Sequence, residues 1–410
     1  MAVFASCPQL KRLEIDWADL SDVVMADLFN VCLRLEELKM ANTSMDVGEH
    51  HDDSWINWPT FPTIKKLWIG ISIVEHWYRR QAQQQYEFIR RCPNLESLTW
   101  SFARGPFLID KIQNLLSPKT SPCPRIKAFE FRYPGVHPTL SEHIWHDILR
   151  GDNKCLTSFG CYRFEFGELS SRRLISSLGS TLTRLRADDS RVSSVAMMSI
   201  LSSCPHLIHV SSAGSLDARE ILGLKRDTSE VEDYLAVVMY ERKSTGGSLQ
   251  REPLPKPIYP LEWACRNLQT LEIGICGLEN KASEWQRAIL KQLAKLTQLR
   301  VLNVQTEYAV SLGEGSVDGL DFRLTAGLDI LSSLTMLEAL RFGDLWQEMS
   351  EHDIEWMVKT WPRFSYIQGW VHHSQSRRVE LKRLLKRHGV VVEFCQGFDP
   401  PAQDEEDERI

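Results

Sequence analysis

The chain has 410 residues, a formal net charge of −6, 43% hydrophobic and 25% charged residues. These fractions are ordinary for a folded protein, and the acidic balance argues against general nucleic-acid binding. The opening Met1-Ala2-Val3-Phe4-Ala5-Ser6-Cys7 has neither a basic region nor a long apolar core, and no window approaches ~18 apolar residues, so neither a signal peptide nor a membrane span is expected.

The first recognisable unit is Cys7-Pro8-Gln9-Leu10-Lys11-Arg12-Leu13-Glu14-Ile15. Its apolar skeleton, apolar-x-x-apolar-x-apolar, returns along the chain. Close copies start at Cys92-Pro93-Asn94-Leu95, Cys123-Pro124-Arg125-Ile126 and Cys204-Pro205-His206-Leu207; looser ones start at Cys32 and Cys265. The first apolar positions are Leu10, Leu35, Ile64, Leu95, Ile126, Leu156, Leu182, Leu207, Leu268, Leu299, Leu337 and Phe364. Successive positions lie roughly 25 to 38 residues apart, in or slightly above the window of leucine-rich repeats. One step, Leu207 to Leu268, is about twice that length, which marks a decayed repeat.

The end of each unit, for example Ser97-Leu98-Thr99-Trp100-Ser101, alternates polar and apolar, the pattern of a strand buried on one face. Helices are expected at 21–32, 75–92, 170–179, 191–204, 283–296, 323–334 and 350–361. Strand, helix, strand in succession implies parallel pairing. A parallel sheet covered on both faces would read as unbroken apolar runs, which these strands are not. The expected fold is therefore α/β, a curved leucine-rich-repeat solenoid of about 12–13 irregular repeats, with parallel strands on its concave face and helices on its convex face. It spans 1–398, is interrupted at 223–260, carries a C-terminal cap at 371–398 and precedes an acidic tail at 399–410. No polar capping element stands before the first unit, so the expectation is either that the chain lost an upstream domain or that another molecule covers that end.

In chain order, the segment 42–60 holds His50, His51, Asp52 and Asp53, a solvated loop in preference to a metal site. Trp68 stands between Leu67 and Ile69, so alternation points it outward, either as a binding anchor or packed on a neighbouring Lys or Glu stem. His137, His143 and His146 lack further ligands nearby and are read as structural. Arg184 and Arg186 fall on the same outward face and either suit an acidic or phosphorylated peptide or form a solvated basic stripe paired with neighbouring strands. The segment 223–260 reads as a flexible loop followed by a proline-rich extended stretch. Near the end, Tyr366, Gln368 and Trp370 alternate outward, and Arg377 to His388 forms an amphipathic helix with Val379, Leu381, Leu384 and Leu385 on its apolar side. The candidate protein-binding residues are Lys66, Trp68, Glu130, Arg132, Tyr162, Arg184, Arg186, His209, Arg341, Tyr366 and Trp370.

The ten cysteines recur with the repeat, not in tight C-x-x-C pairs, so packed thiols in a reducing compartment, cytoplasmic or nuclear, are expected. There is no G-x-S-x-G, H-E-x-x-H, Walker or G-x-G-x-x-G motif, and no enzyme activity, cofactor or metal is expected.

Two sets of residues carry a family resemblance. The Cys-Pro-x-Leu-x-x-Leu units resemble the repeats of F-box proteins. The order Trp263-Ala264-Cys265-Arg266-Asn267-Leu268, Leu296-Thr297-Gln298-Leu299, Gly327-Leu328-Asp329, Glu355-Trp356-Met357 and Trp361-Pro362-Arg363 is similar to a group of fungal F-box/leucine-rich-repeat proteins. The resemblance implies a substrate receptor of a cullin-type ubiquitin ligase, with the repeats holding a protein substrate and an F-box holding the adaptor. The F-box itself is not visible: Leu20 to Phe29 lacks the Leu-Pro start and runs into the next repeat. The alternatives are a free-standing scaffold or GTPase-regulator-like repeat protein, and a metal-dependent hydrolase built on His50, His51 and Asp53.

Overall fold

The computed structural model describes residues 7–16, 19–20, 22–41, 43–45, 58–70, 78–101, 107–117, 119–132, 148–149, 155–162, 164–188, 190–221, 262–278, 282–305, 319–343 and 345–394. The expectations at His50, His51 and Asp53, at His137, His143 and His146, over 223–260 and over the acidic tail lie outside these residues. The chain divides into two compact units, residues 1–214 with 262–268, and residues 215–261 with 269–410.

The first unit begins with β1 (Arg12–Asp16), β2 (Asp19–Leu20), α1 (Asp22–Cys32), β3 (Glu37–Ala41), β4 (Ser44–Met45), β5 (Lys66–Ile69) and α2 (Tyr78–Arg90). It continues with β6 (Ser97–Ser101), α3 (Phe107–Leu116), β7 (Ala128–Arg132), β8 (Ser158–Tyr162), β9 (Glu165–Phe166), α4 (Glu168–Leu178), β10 (Arg184–Ala187), β11 (Arg191–Val192), α5 (Ser194–Ser203) and β12 (His209–Asp217). Strands β1, β3, β5, β6, β7, β8, β10 and β12 pair in that order, every pairing parallel. The two-residue strands form separate parallel pairs, β2 with β4 and β9 with β11.

The register explains the apolar skeleton. Leu13, Leu38, Leu67, Leu98, Phe129, Phe159, Leu185 and Val210 are successive register partners, and all are buried. The helices pack against this face: α4 buries Leu174 and Leu178, and α5 buries Ala196, Met197, Ile200 and Leu201. Alternate strand residues, such as Lys66 and Arg184, stay exposed. The strands thus have one covered and one open face, as period-two patterning requires.

A main-chain clasp joins each coil to the next. The carbonyl of Lys11 accepts from Glu36 N and Glu37 N, at 2.9 and 3.1 Å. Glu36 O repeats this with Lys65 N and Lys66 N, Lys65 O with Glu96 N and Ser97 N, and Glu96 O with Lys127 N and Ala128 N. Lys127, Thr157 and Thr183 continue the series.

The recurrent Cys-Pro-x-Leu is a β-turn. The amide of the apolar fourth residue donates to the carbonyl of the first, at 3.1 Å for Leu95 to Cys92, 3.3 Å for Ile126 to Cys123 and 3.3 Å for Leu207 to Cys204. Proline presets the backbone angle of the turn's second position. Phe61-Pro62-Thr63-Ile64 and Trp361-Pro362-Arg363-Phe364 form the same turn without cysteine. The first residue fills the core below: Cys32, Cys92, Cys123, Cys204 and Cys265 are buried.

The second unit holds α6 (Ala218–Ile221), β13 (Thr270–Cys276), α7 (Ala282–Leu293), β14 (Val301–Asn303), β15 (Ala339–Gly343), α8 (Glu351–Thr360), β16 (Tyr366–Gly369), α9 (Gln375–Arg387) and β17 (Val391–Glu393). Strands β13 to β17 pair in sequence order, all parallel, and align Leu271, Leu302, Leu340, Ile367 and Val392 in a buried row. Each unit is therefore an α/β leucine-rich-repeat ladder, as the sequence predicts.

Three local expectations need correction. The helix expected at 323–334 is two short 3₁₀ turns, Leu324–Ala326 and Leu328–Ser333, because Gly327 between them sits at φ +106° and stops the first. Trp370 is buried, not outward: Gly369 at φ +133° takes the chain out of strand geometry one residue early, and the ring stacks on Phe394 at 5.6 Å. In α9, Val379 is exposed, whereas Arg378 is buried with its guanidinium 4.4 Å from the Trp370 ring centroid. Helix α3 was not expected, although Ile112, Leu115 and Leu116 form its buried side.

Candidate functional site

The site is built on the open face of the first unit's ladder. Parallel in-register pairing places the outward residues of successive strands side by side, so they form rows. One row reads Arg12, Glu37, Lys66, Ser97, Ala128, Ser158, Arg184 and His209. The next reads Glu14, Lys39, Trp68, Thr99, Glu130, Gly160, Arg186 and Ser211. Arg132 and Tyr162 are register partners in a third.

Trp68 is outward and half-buried, as alternation predicts. Its ring has a cation on either side: Lys39 Nζ lies 4.0 Å from the ring centroid and the Arg132 guanidinium lies 5.1 Å away. Arg132 also faces Tyr162 at 5.7 Å and donates to Glu130 Oε1 at 2.6 Å. Each such ring–cation contact at a partly exposed site contributes on the order of 0.5–1 kcal/mol. The aromatic anchor is thus held in place by charged neighbours on both adjoining sides.

The charges of this face are largely paired off. Glu14 pairs with Lys39, and Glu37 pairs with Arg12 at 3.4 Å and Lys66 at 3.8 Å. Glu130 takes Arg132 and, at 3.9 Å, Arg186; Arg186 also donates to Asp188, which accepts from Ser211 Oγ at 2.7 Å. Exposed pairs of this kind add little stability, roughly 0–1 kcal/mol each. Their effect here is to cancel charge. Among the described residues Arg184 has no ion-pair partner, although it is exposed.

Beside Arg184 the open face dips into a cleft of about 150 Å³. The floor is low because the outward residues of three adjacent strands are small: Ser97 and Thr99 on β6, Ala128 on β7, Ser158 and Gly160 on β8. Glu130, Arg184 and Arg186 form its walls.

Of the residues singled out in the sequence, Lys66, Trp68, Glu130, Arg132, Tyr162, Arg184, Arg186 and His209 share this face of the first unit. Arg341 and Tyr366 are on the open face of the second unit, where Arg341 reaches Glu272 at 3.6 Å and lies 5.3 Å from the Tyr366 ring, and Tyr366 Oη donates to Glu393 at 2.5 Å. Trp370 belongs to the core. The sequence reading missed Lys39, Ser97, Ser158 and Gly160; the same period-two frame that marks Lys66 and Trp68 would have found them. Among the described residues no group of three His, Cys, Asp or Glu is placed to hold a metal ion, and no helix is long and apolar enough to cross a membrane.

No protein-family model matches the chain, and no curated protein matches it. Among solved structures, the chain is similar to yeast Rad7 in its complex with Elc1, with a TM-score of 0.49 and 12% identity over 93% of this chain and 82% of that one. It is also similar to the Drosophila Toll–Spatzle complex, with a TM-score of 0.30 and 11% identity over 90% of this chain and 48% of that one.

Proposed function

We propose that this chain is a non-enzymatic leucine-rich-repeat recognition protein that holds a protein partner on the open strand face of its first unit. The observation that supports this reading is the row structure. Outward positions carry Trp68, Tyr162 and paired charges around a cleft, while the inward positions of the same strands form the apolar core. Aromatic and arginine side chains on a preformed surface are the residue types that dominate protein recognition.

The finer reading, drawn from the repeat motifs, is a substrate-receptor-like protein of a cullin-type ubiquitin ligase pathway, related to the fungal F-box/leucine-rich-repeat group and acting in the cytoplasm or nucleus. Buried free thiols such as Cys92 and Cys204 suit a reducing compartment.

Affinity purification tests both parts. The combined variant Trp68→Ala, Arg184→Glu, Arg186→Glu is expected to lose the partners that the wild type retains. An unchanged partner set would remove the open face as the site. Co-purification of a cullin adaptor with the full-length gene product supports the ligase reading; its persistent absence favours a scaffold without a ubiquitin link.

A further inference from the structure

We infer that the cleft beside Arg184 receives one aspartate or glutamate side chain from an extended segment of the partner. This rests on the open-face reading above and specifies what that face selects. Arg184 and Arg186 are two residues apart on β10, yet only Arg184 is available: Arg186 is taken up by Glu130 and Asp188. Among the described residues of this face Arg184 is the one uncommitted guanidinium, and such a group attracts a single anion, its fork matching a carboxylate bidentately.

The floor supplies the rest of the site. The hydroxyls of Ser97, Thr99 and Ser158 make no hydrogen bond within the protein among the described residues, so they are free to donate to a second carboxylate lone pair. The volume of about 150 Å³ admits one side chain. The wall opposite decides the charge. Glu130 borders the cleft with Arg184 and Arg186, and Arg186 is already paired with Glu130 and Asp188, so a phosphoryl group, with close to two negative charges, would meet one unpaired cation beside a carboxylate. A monoanion fits this balance and a dianion does not.

The experiment selects random displayed peptides on the full chain and on Arg184→Gln, a substitution at an exposed side chain. One selected peptide is then synthesised with glutamate, glutamine or phosphoserine at its acidic position. On the wild type, glutamate is expected to bind at least about tenfold more tightly than glutamine, with phosphoserine no tighter than glutamate. On Arg184→Gln the glutamate-to-glutamine ratio should fall to about one. The inference is overturned if no acidic position emerges, if the preference survives Arg184→Gln, or if phosphoserine binds best. Peptides that are lost with Trp68→Ala but ignore Arg184 would overturn the cleft inference and leave the open-face reading standing. Failure to select any peptide, or selection of peptides indifferent to both changes, would overturn the two together.

Discussion

Glu130 lies across Gly160, its register partner on the next strand, so closely that a Cβ at Gly160 would stand 2.7 Å from Glu130 Cγ. The missing side chain is what lets Glu130 reach toward Arg186. Gly160→Ala is expected to push Glu130 aside and lower stability by roughly 1–3 kcal/mol, the usual range for overpacking. Pairing it with Glu130→Ala should recover most of that loss. Urea unfolding of the two single variants and the double variant gives the answer, and additive effects would show that the contact is not the cause.

Leu98 and Thr99 are neighbours with opposite expectations. Leu98 is fully buried between its register partners Leu67 and Phe129, whereas Thr99 faces outward. Leu98→Ala should cost about 2–5 kcal/mol, and Thr99→Ala should stay within about 0.5 kcal/mol. Equal effects at the two positions would contradict the one-sided strand.

The thiols at the two extremes of burial should behave oppositely. Cys7 and Cys155 are exposed, Cys276 is half-buried, and Cys32, Cys92, Cys123, Cys161, Cys204 and Cys265 are buried. In the native protein at neutral pH, iodoacetamide is expected to label the exposed pair and leave the buried six, as mass spectrometry of the digested protein would show. Fast labelling of Cys123 would refute the packing.

Burial also ties stability to alkaline pH. Loss of solvation pushes the thiols up, to about 12 at Cys123, Cys161 and Cys204 and to about 11 at Cys265. In the unfolded chain they ionise near 8.5. The raised values therefore favour the fold fully below about 8.5, and the contribution is lost as pH climbs from there toward the folded values. The urea midpoint should fall between about pH 8 and 10.5, and Cys123→Ala with Cys204→Ala should flatten that slope. An identical slope in the variant would exclude the thiols as its source.

Asp353, in the first turn of the second unit's α8, holds three hydrogen bonds. Its Oδ2 accepts from Ser350 N and Ser350 Oγ, both at 2.7 Å, and its Oδ1 accepts from Leu324 N at 2.7 Å. Ser350→Ala removes one cap and should cost about 0.5–2 kcal/mol. Asp353→Ala strands three donors and should cost more than about 2 kcal/mol. Thermal unfolding of the two variants decides it; an Asp353 variant no weaker than the Ser350 variant would show that the bond to Leu324 carries no stability.

Legibility followed the range of the forces involved. Period-two alternation is local, so Trp68, Arg132, Arg184 and the buried Leu98 could be placed from sequence. Trp370 could not, because its direction depends on Gly369 adopting a positive φ. The short helix α3 was readable from Ile112, Leu115 and Leu116, but the sequence before it, Arg104-Gly105-Pro106, offers no Ser, Thr, Asp or Asn as a start signal. The cleft was readable only residue by residue: the period-two frame turns Ser97, Ser158 and Gly160 outward but does not show the hollow they share. It arises from small residues on three strands that are neighbours only after folding, and Arg184 differs from Arg186 only through carboxylates supplied by another strand and by the turn after β10. The Cys-Pro motif is visible in the sequence as a recurrent start of each unit, but its role as a β-turn rests on the amide of the fourth residue, which only the fold places.

The twofold acceptance by Lys11 O, repeated at Glu36, Lys65, Glu96, Lys127, Thr157 and Thr183, gives the described coils of the first unit the same connector. The connector is made of peptide groups, so it does not depend on which amino acids stand there. Excising or duplicating one coil by genetic recombination would bring two identical connectors together, and the flanks would zip without new chemistry. Such a chain can change its length by whole turns, and so alter the reach of its grip, in a single mutational step.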